Sequence, residues 1–332
     1  MSTIRRACIT GGAGFIGSNL ADALHAGGTE VVVVDDLRTG REAFLQRLVG
    51  RPRFTFIRGD VLDPDVIGAA VQGCDWVFHL QANADVRGGL DHPTLDLQQN
   101  TVATSRVLEA MRAADVRRVL FSSTGSVYGE PPVFPTPEDA PFPLQTSLYG
   151  ASKLAGEGLI SAYAEGFGFT GIICRFVSIL GERYTHGHVY DFFHALRRDP
   201  TRLRVLGDGS QTKSYLYIQD CIAAMLRAVE EHAEQPGAHV YNLGTDETVT
   251  VAESVALITG HLGVTPAVEH TGGKRGWVGD SPLIHLDTSK IRGLGWAPQV
   301  SIGEAIVRTV QWLEAWEPAG GDGVTAARSG TE

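Results

Sequence analysis

The chain has 332 residues, 38 acidic against 28 basic for a formal charge of −10, with 43% hydrophobic and 20% charged side chains. This is an ordinary globular composition with material for a large domain and a smaller one attached, and its negative balance argues against nucleic acid or an anionic membrane as partner, since both depend on a positive field. Cys8, Cys74, Cys174 and Cys221 form no C-x-x-C pair, no N-terminal stretch reads as a signal peptide, and no apolar run nears the roughly 20 residues of a bilayer span, so a soluble cytoplasmic protein without disulfides or metal is expected.

Short apolar runs alternate with amphipathic stretches through the first half. Strands are predicted at Ala7–Thr10, Glu30–Asp35, Phe54–Arg58, Trp76–Leu80, Val119–Ser123 and Gly171–Phe176. Val31–Val34 and Trp76–Phe78 are apolar without alternation, as befits parallel strands buried on both faces. Helices are predicted between them at Phe15–Ala26, Asp63–Val71, Thr94–Ala113 and Ser147–Phe167. The alternation predicts an α/β fold, a Rossmann-type doubly wound parallel sheet over residues 1–180. Beyond Leu180 the rhythm changes. Glycine-rich loops and helices near Tyr190–Arg197, Gln219–Glu231, Val251–Leu262 and Gly303–Trp316 predict a smaller mixed α/β lobe over 181–317 that mainly holds substrate. Residues 318–332 read as a disordered tail.

Thr10-Gly11-Gly12-Ala13-Gly14-Phe15-Ile16-Gly17 joins the first strand to the first helix. Glycines there let the backbone turn tightly and approach a pyrophosphate, Gly17 permits close helix–sheet packing, and the helix N-terminus offers N–H groups to phosphates. Asp35 ends the second strand, where a carboxylate can bind both ribose hydroxyls. With Asp36 beside it, a 2′-phosphate would be repelled, so NAD is favoured over NADP. Arg38 is the one residue that points the other way. Asp60, before Val61, is placed to meet the adenine.

Tyr149-Gly150-Ala151-Ser152-Lys153 opens a long predicted helix and sets Tyr149 and Lys153 one turn apart on one face. A phenol titrates near 10, and an adjacent ammonium, aided by the positive nicotinamide of oxidised cofactor, is expected to lower it until the tyrosine can act as a general base. Upstream, the Ser122–Gly129 segment ends the fifth strand on the ligand-binding side of such a sheet, and Thr124 offers a hydroxyl to both a sugar oxygen and the phenol.

These motifs together resemble the nucleotide-sugar epimerase/dehydratase branch of the extended short-chain dehydrogenases, over Ala7 to about Trp316. Within it the likeness is closest to the UDP-glucose (UDP-galactose) 4-epimerases, carried by His186–Phe192, Leu206–Tyr217 and Arg275–Asp280. The resemblance implies a catalytic triad of Thr124, Tyr149 and Lys153. On the cofactor side it adds Phe15, Ile16, Leu80, Gln81, Ala82, Asn100, Ser122 and Phe176 to the residues above. For the nucleotide-diphosphate sugar, a UDP-sugar by preference, it implies Asn83, Arg87, Ser126, His188, Val189 and Tyr215. Lys213 stands where relatives carry an arginine on the diphosphate, with Arg275 a second diphosphate ligand and Asp280 close by. Ser178 replaces a usual asparagine, and Gln81 a small residue.

The implied reaction inverts carbon 4. Tyr149 takes the 4-hydroxyl proton as hydride leaves for NAD, the 4-keto sugar turns about its phosphate linkage, and hydride returns to the opposite face. Dehydratases of this branch carry Asp-Glu after the threonine; Gly125 and Ser126 stand here, which disfavours elimination. Alternatives within the family are a 4-keto-sugar reductase or dehydrogenase and a uronate-sugar epimerase or decarboxylase. Outside enzymes the alternative is an NAD-binding sensor or scaffold. The helices Thr94–Ala113 and Ser147–Phe167 carry apolar stripes that include Val102, Leu108, Leu159 and Ile160; packing against the sheet must account for much of that surface, and in related enzymes the corresponding helix pair forms a four-helix dimer interface, so a homodimer is expected. His186, His188 and His194 lack the companions of a metal site.

Overall fold

The computed structural model describes residues 4–83, 91–141, 144–273 and 283–317. Six predicted strands form within two residues of expectation: β1 (Arg6–Thr10), β2 (Glu30–Asp35), β3 (Phe54–Arg58), β4 (Trp76–His79), β5 (Arg118–Thr124) and β6 (Thr170–Phe176). A seventh, β7 (Gly237–Leu243), was not expected; it comes from the second half of the chain and pairs in parallel with β6 over its whole length. The sheet is parallel throughout, in the order β7-β6-β5-β4-β1-β2-β3. The order reverses between β1 and β4, so a crevice opens at the carboxyl ends of those two strands.

Successive strand residues feed two cores. Ile9, Val33, Phe78 and Leu120 pack with α1 (Phe15–Ala26) and α6 (Ile218–Glu231). On the other face Cys8, Val32, Val77 and Phe121 meet α2 (Pro64–Val71), α3 (Ala103–Ala113) and α4 (Leu148–Phe167). Helix ends carry their expected signals. Asp63 caps α2 ahead of Pro64, Ser147 caps α4 through Gly150 N–H at 3.0 Å, and Gly168 closes α4 in the left-handed region.

The second lobe is built from α5 (His188–Arg198), α7 (Val251–Leu262), α8 (Ile302–Trp316) and short ribbons. Ser178–Leu180 pairs in parallel with Tyr215–Tyr217, Thr212–Lys213 antiparallel with Val249–Thr250, and Arg202–Val205 in parallel with Ala267–His270. Val189, Phe193, Ile306 and Val310 join this lobe to the first core.

Two expectations need correction. The predicted helix Thr94–Ala113 is a single turn, Pro93–Asp96, then a π-helical stretch, Leu97–Val102, then α3. The wider turn tucks both Gln99 and Asn100 inside the protein. The apolar stripe also divides: Leu108 and Ile160 are core residues, while Val102 is exposed and Leu159 half-buried. Residues 318–332, expected to be disordered, lie outside the described residues.

Candidate active site

The dinucleotide turn is built by close approach. Gly11 has φ +69°, and a Cβ there would stand 2.7 Å from the backbone of Gln81. A Cβ on Gly17 would fall against the Gly11 carbonyl oxygen and 2.7 Å from Gly12 Cα. Gly14 caps α1 without a side chain, so no side-chain cap occupies its first-turn N–H groups. Phe15 packs edge-on against Tyr184, and Ile16 is half-buried.

Asp35 is 8% exposed, and its carboxylate accepts from Ala13 N at 2.9 Å and Leu37 N at 2.8 Å. Burial raises its pKa, those two N–H groups oppose the rise, and Asp36 adds to it. Arg38 is committed elsewhere: its guanidinium lies 3.0 Å from Asp36 and 3.5 Å from Asp60. Asp60 also accepts from Leu62 N at 2.9 Å, and Val61 is buried in the core. A buried carboxylate at the end of β2, with Arg38 bridging carboxylates and an uncapped helix start, fits an adenosine ribose bearing free hydroxyls.

The catalytic candidates gather at the carboxyl end of β5. Thr124 accepts from Ser126 N at 3.1 Å, and its hydroxyl lies 3.2 Å from that of Ser126. Thr124 is near enough to Tyr149 for its hydroxyl to favour the ionised phenol. Lys153 is 1% exposed; its amine donates to the Ser122 carbonyl at 2.7 Å and lies 4.6 Å from the Phe121 ring centre. Burial pulls this amine down to about 7, with Glu157 holding it up. Burial pushes the Tyr149 phenol up to about 12; the Thr124 hydroxyl opposes this and Asp96 adds to it. Desolvation is the largest influence on the phenol, and the Lys153 amine is seated on the Ser122 carbonyl.

Asn100 ties this group to the cofactor side. Its amide donates to Ser152 Oγ at 2.8 Å, Ser152 donates to the Tyr149 carbonyl at 2.8 Å, and Asn100 Oδ1 accepts from Asn83 N at 2.8 Å. Gln81 donates to Gln99 Oε1 at 2.6 Å, while Leu80 and Ala82 flank it half-buried. Phe176 ends β6 inside the core.

Four substrate-side expectations meet in the second lobe. Ser178 is the strand partner of Tyr215, whose hydroxyl lies 2.9 Å from His188 Nδ1 with the two rings stacked at 5.0 Å. Lys213 is close enough to lower the His188 pKa, although burial is the larger cause and brings it to about 3. Val189 is wholly within the core. Arg87, Arg275 and Asp280 lie outside the described residues. His186 stacks on Tyr184, and His194 faces Glu317 at 3.4 Å.

Two groups escaped the sequence reading. His79 is 1% exposed between Thr10 Oγ1 at 2.7 Å and Thr104 Oγ1 at 3.0 Å. Thr104 donates to the Asn100 carbonyl at 2.5 Å, so Nε2 of His79 carries the proton and Nδ1 accepts from Thr10. A polar residue closing the all-buried run Trp76–His79 was the available signal. The second is a buried ion pair one turn beyond Lys153. Glu157 receives Arg175 Nη2 at 2.7 Å and Nε at 3.0 Å, as well as the Ser123 hydroxyl. Arg175 continues to Tyr128 OH at 2.6 Å and the Glu138 carbonyl at 3.0 Å. Its signal was a carboxylate on the Tyr149–Lys153 helix face together with an arginine inside a buried strand.

Residues 7–244 match the NAD dependent epimerase/dehydratase family. The UDP-glucose 4-epimerase of Mycolicibacterium smegmatis is 35% identical over 315 residues, 93% of this chain and 98% of that protein. A crystal structure of a UDP-galactose 4-epimerase superposes with TM-score 0.84 at 38% identity, over 94% of this chain and 99% of that one. The UDP-glucuronic acid 4-epimerase of Bacillus cereus, solved with UDP-glucuronic acid and NAD, gives TM-score 0.86 at 28% identity, over 94% and 99% of the two chains.

Proposed function

We infer that this chain, which belongs to the NAD-dependent epimerase/dehydratase family, is an epimerase that inverts carbon 4 of a UDP-sugar of the glucose/galactose type through a 4-keto intermediate. The observation that carries the reading is the gathering of Thr124, at the end of β5, with Tyr149 and the buried amine of Lys153, one turn apart on α4 and anchored to that same strand through Ser122. NAD, when bound, supplies a reversible hydride acceptor and a positive charge near the phenol. Thr124 orients the sugar hydroxyl toward Tyr149, which takes its proton and later gives one back. Lys153 adds positive charge near that phenolic oxygen whenever it is protonated. Lys213 and Arg275 grip the diphosphate, with His188 among the substrate contacts, so the keto sugar can turn without escaping.

Elimination is disfavoured sterically as well as chemically. A Cβ on Gly125 would stand 2.7 Å from the Ile284 side chain, so the acid that a dehydratase needs there would have to displace Ile284. Residues 1–180 with β7 carry the dinucleotide, and 181–317 mainly hold the nucleotide sugar. Exposed Leu97, Val102, Leu148 and Phe167, on or beside the Leu97–Ala113 and α4 segments, support a homodimer, which sedimentation would reveal. Four unpaired buried cysteines suit a reducing cytoplasm. No described helix is long and apolar enough to cross a membrane.

The test is NMR of UDP-galactose incubated with catalytic amounts of enzyme. UDP-glucose should accumulate with no net consumption of added NAD. Tyr149→Phe should retain NAD and lose about 10²–10⁴-fold in turnover. Stoichiometric NAD(H) consumption would make the protein a net oxidoreductase, and full activity in Tyr149→Phe would remove the assigned base.

A further inference from the structure

The loop after β2 is anchored from an unexpected direction. A Cβ on Gly40 would lie 2.6 Å from Asp35 Oδ1, so this glycine presses on the buried carboxylate. The next residue, Arg41, donates its backbone N–H at 2.9 Å to the carbonyl of Ala13, in the glycine turn itself. Phe44 N–H in turn donates to the Arg41 carbonyl at 2.9 Å, so Phe44 is rigidly linked to both halves of the dinucleotide cradle.

Phe44 is 2% exposed, and aromatic rings of α8 pack against it. Its ring lies 6.0 Å from Trp312 and 5.4 Å from Trp316, at the end of α8, and those indoles stack on each other at 5.3 Å and 14°. The Arg41 guanidinium closes the cluster from the loop side, 5.8 Å from the Phe44 ring centre. Beyond Trp316, the Glu317 carbonyl accepts from Arg197 at 3.1 Å, and its carboxylate faces His194 at 3.4 Å. Both partners belong to α5, whose first residue is His188.

We propose that the Phe44–Trp312–Trp316 cluster is an aromatic clamp by which the last helix holds the adenosine loop against the glycine turn, making these aromatics positioning residues for dinucleotide retention. This rests on the NAD-dependent reading and explains how a cofactor reused within each turnover is kept from leaving between turnovers. Within Asp36–Arg41 only Leu37 packs on the core, so the far end of the loop takes its apolar anchorage from Phe44. The clamp supplies that anchorage in advance, so the loss of loop freedom is charged to folding rather than to binding.

The experiment compares wild type, Trp316→Ala, Trp316→Phe and Phe44→Leu as full-length proteins. It measures NAD retained per chain after gel filtration, NAD affinity by calorimetry, UDP affinity, and turnover at saturating NAD. Trp316→Ala and Phe44→Leu should weaken NAD about five- to tenfold, the scale of one or two lost aromatic contacts. UDP affinity and saturated turnover should stay within about twofold, and Trp316→Phe should recover most of the loss. Unchanged NAD affinity in both lesions overturns the clamp, as does an equal loss of UDP affinity, which would mean general loosening. Should Trp316→Ala not fold, Phe44→Leu decides. Wild type that binds no NAD at all would sink the functional reading, whereas normal wild-type binding with unaffected variants sinks the clamp alone.

Discussion

Glu157→Gln isolates a charge buried one turn below the candidate lysine. The pair it breaks is well enclosed, with side-chain exposures of 11% for Arg175 and 6% for Glu157. Glutamine keeps the shape and one acceptor, so Ser123 retains a partner, but the guanidinium is left without its counter-ion. Removing one member of a buried pair costs about 3–5 kcal/mol, because an uncompensated charge stays in a low-dielectric site. With a urea slope of about 3 kcal/mol per molar, the midpoint should drop by about 1 M or more at unchanged slope. Adding Arg175→Met should give back part of the loss, although Tyr128 and the Glu138 carbonyl then lose a donor. The coupling in the double-mutant cycle should reach about 2 kcal/mol. A loss under about 1 kcal/mol for Glu157→Gln, or strict additivity, would refute the view that these two side chains neutralise each other in the interior.

Two further outcomes follow from the same geometry. Gly17→Ala forces a methyl onto the backbone of Gly11 and Gly12, so NAD should no longer co-purify and stability should fall by about 1–3 kcal/mol, read by dinucleotide content and chemical unfolding. Lys153, at about 7 in the fold against an ordinary 10.5, sheds its proton in the native state first. Below pH 7 both states hold the proton and the burial penalty is full; between about 7 and 10.5 only the unfolded chain holds it, so this group makes stability climb with pH. The stability of wild type minus that of Lys153→Met should therefore rise from pH 7 to 9, and a flat difference would contradict the depressed amine.

Residues that announce themselves locally were legible in the sequence. Val31–Val34 could only be an interior strand, Gly11–Gly17 could only be a tight turn into a helix, and Ser147 and Asp63 marked where helices begin. What stayed hidden depends on distant partners. Gly237–Leu243 opens with Gly-Ala-His and has no unbroken apolar run, so nothing local distinguishes it from a loop; its strand character comes from the free edge of β6. The π-helical stretch at Leu97–Val102 is equally silent, since Asn100 is drawn inward by Ser152 and Asn83. For the site, spacing alone brought Tyr149 and Lys153 together, whereas the direction of the phenol's shift came from burial, which no motif encodes. Thr10, His79 and Thr104 meet only because β1, β4 and α3 stack.

The return of the chain to the sheet as β7 has a consequence for how such a molecule can be cut or rebuilt. A polypeptide ending near residue 180 would leave β6 with a full row of unsatisfied backbone donors and acceptors, a template for self-association, so the front half cannot be isolated as a well-behaved unit. Conversely, most of what lies between β6 and β7 is topologically an excursion, entered and left on adjoining strands. Changes of length are tolerated there only in its exposed loops, because α6 and the buried face of α5 close the core against the sheet.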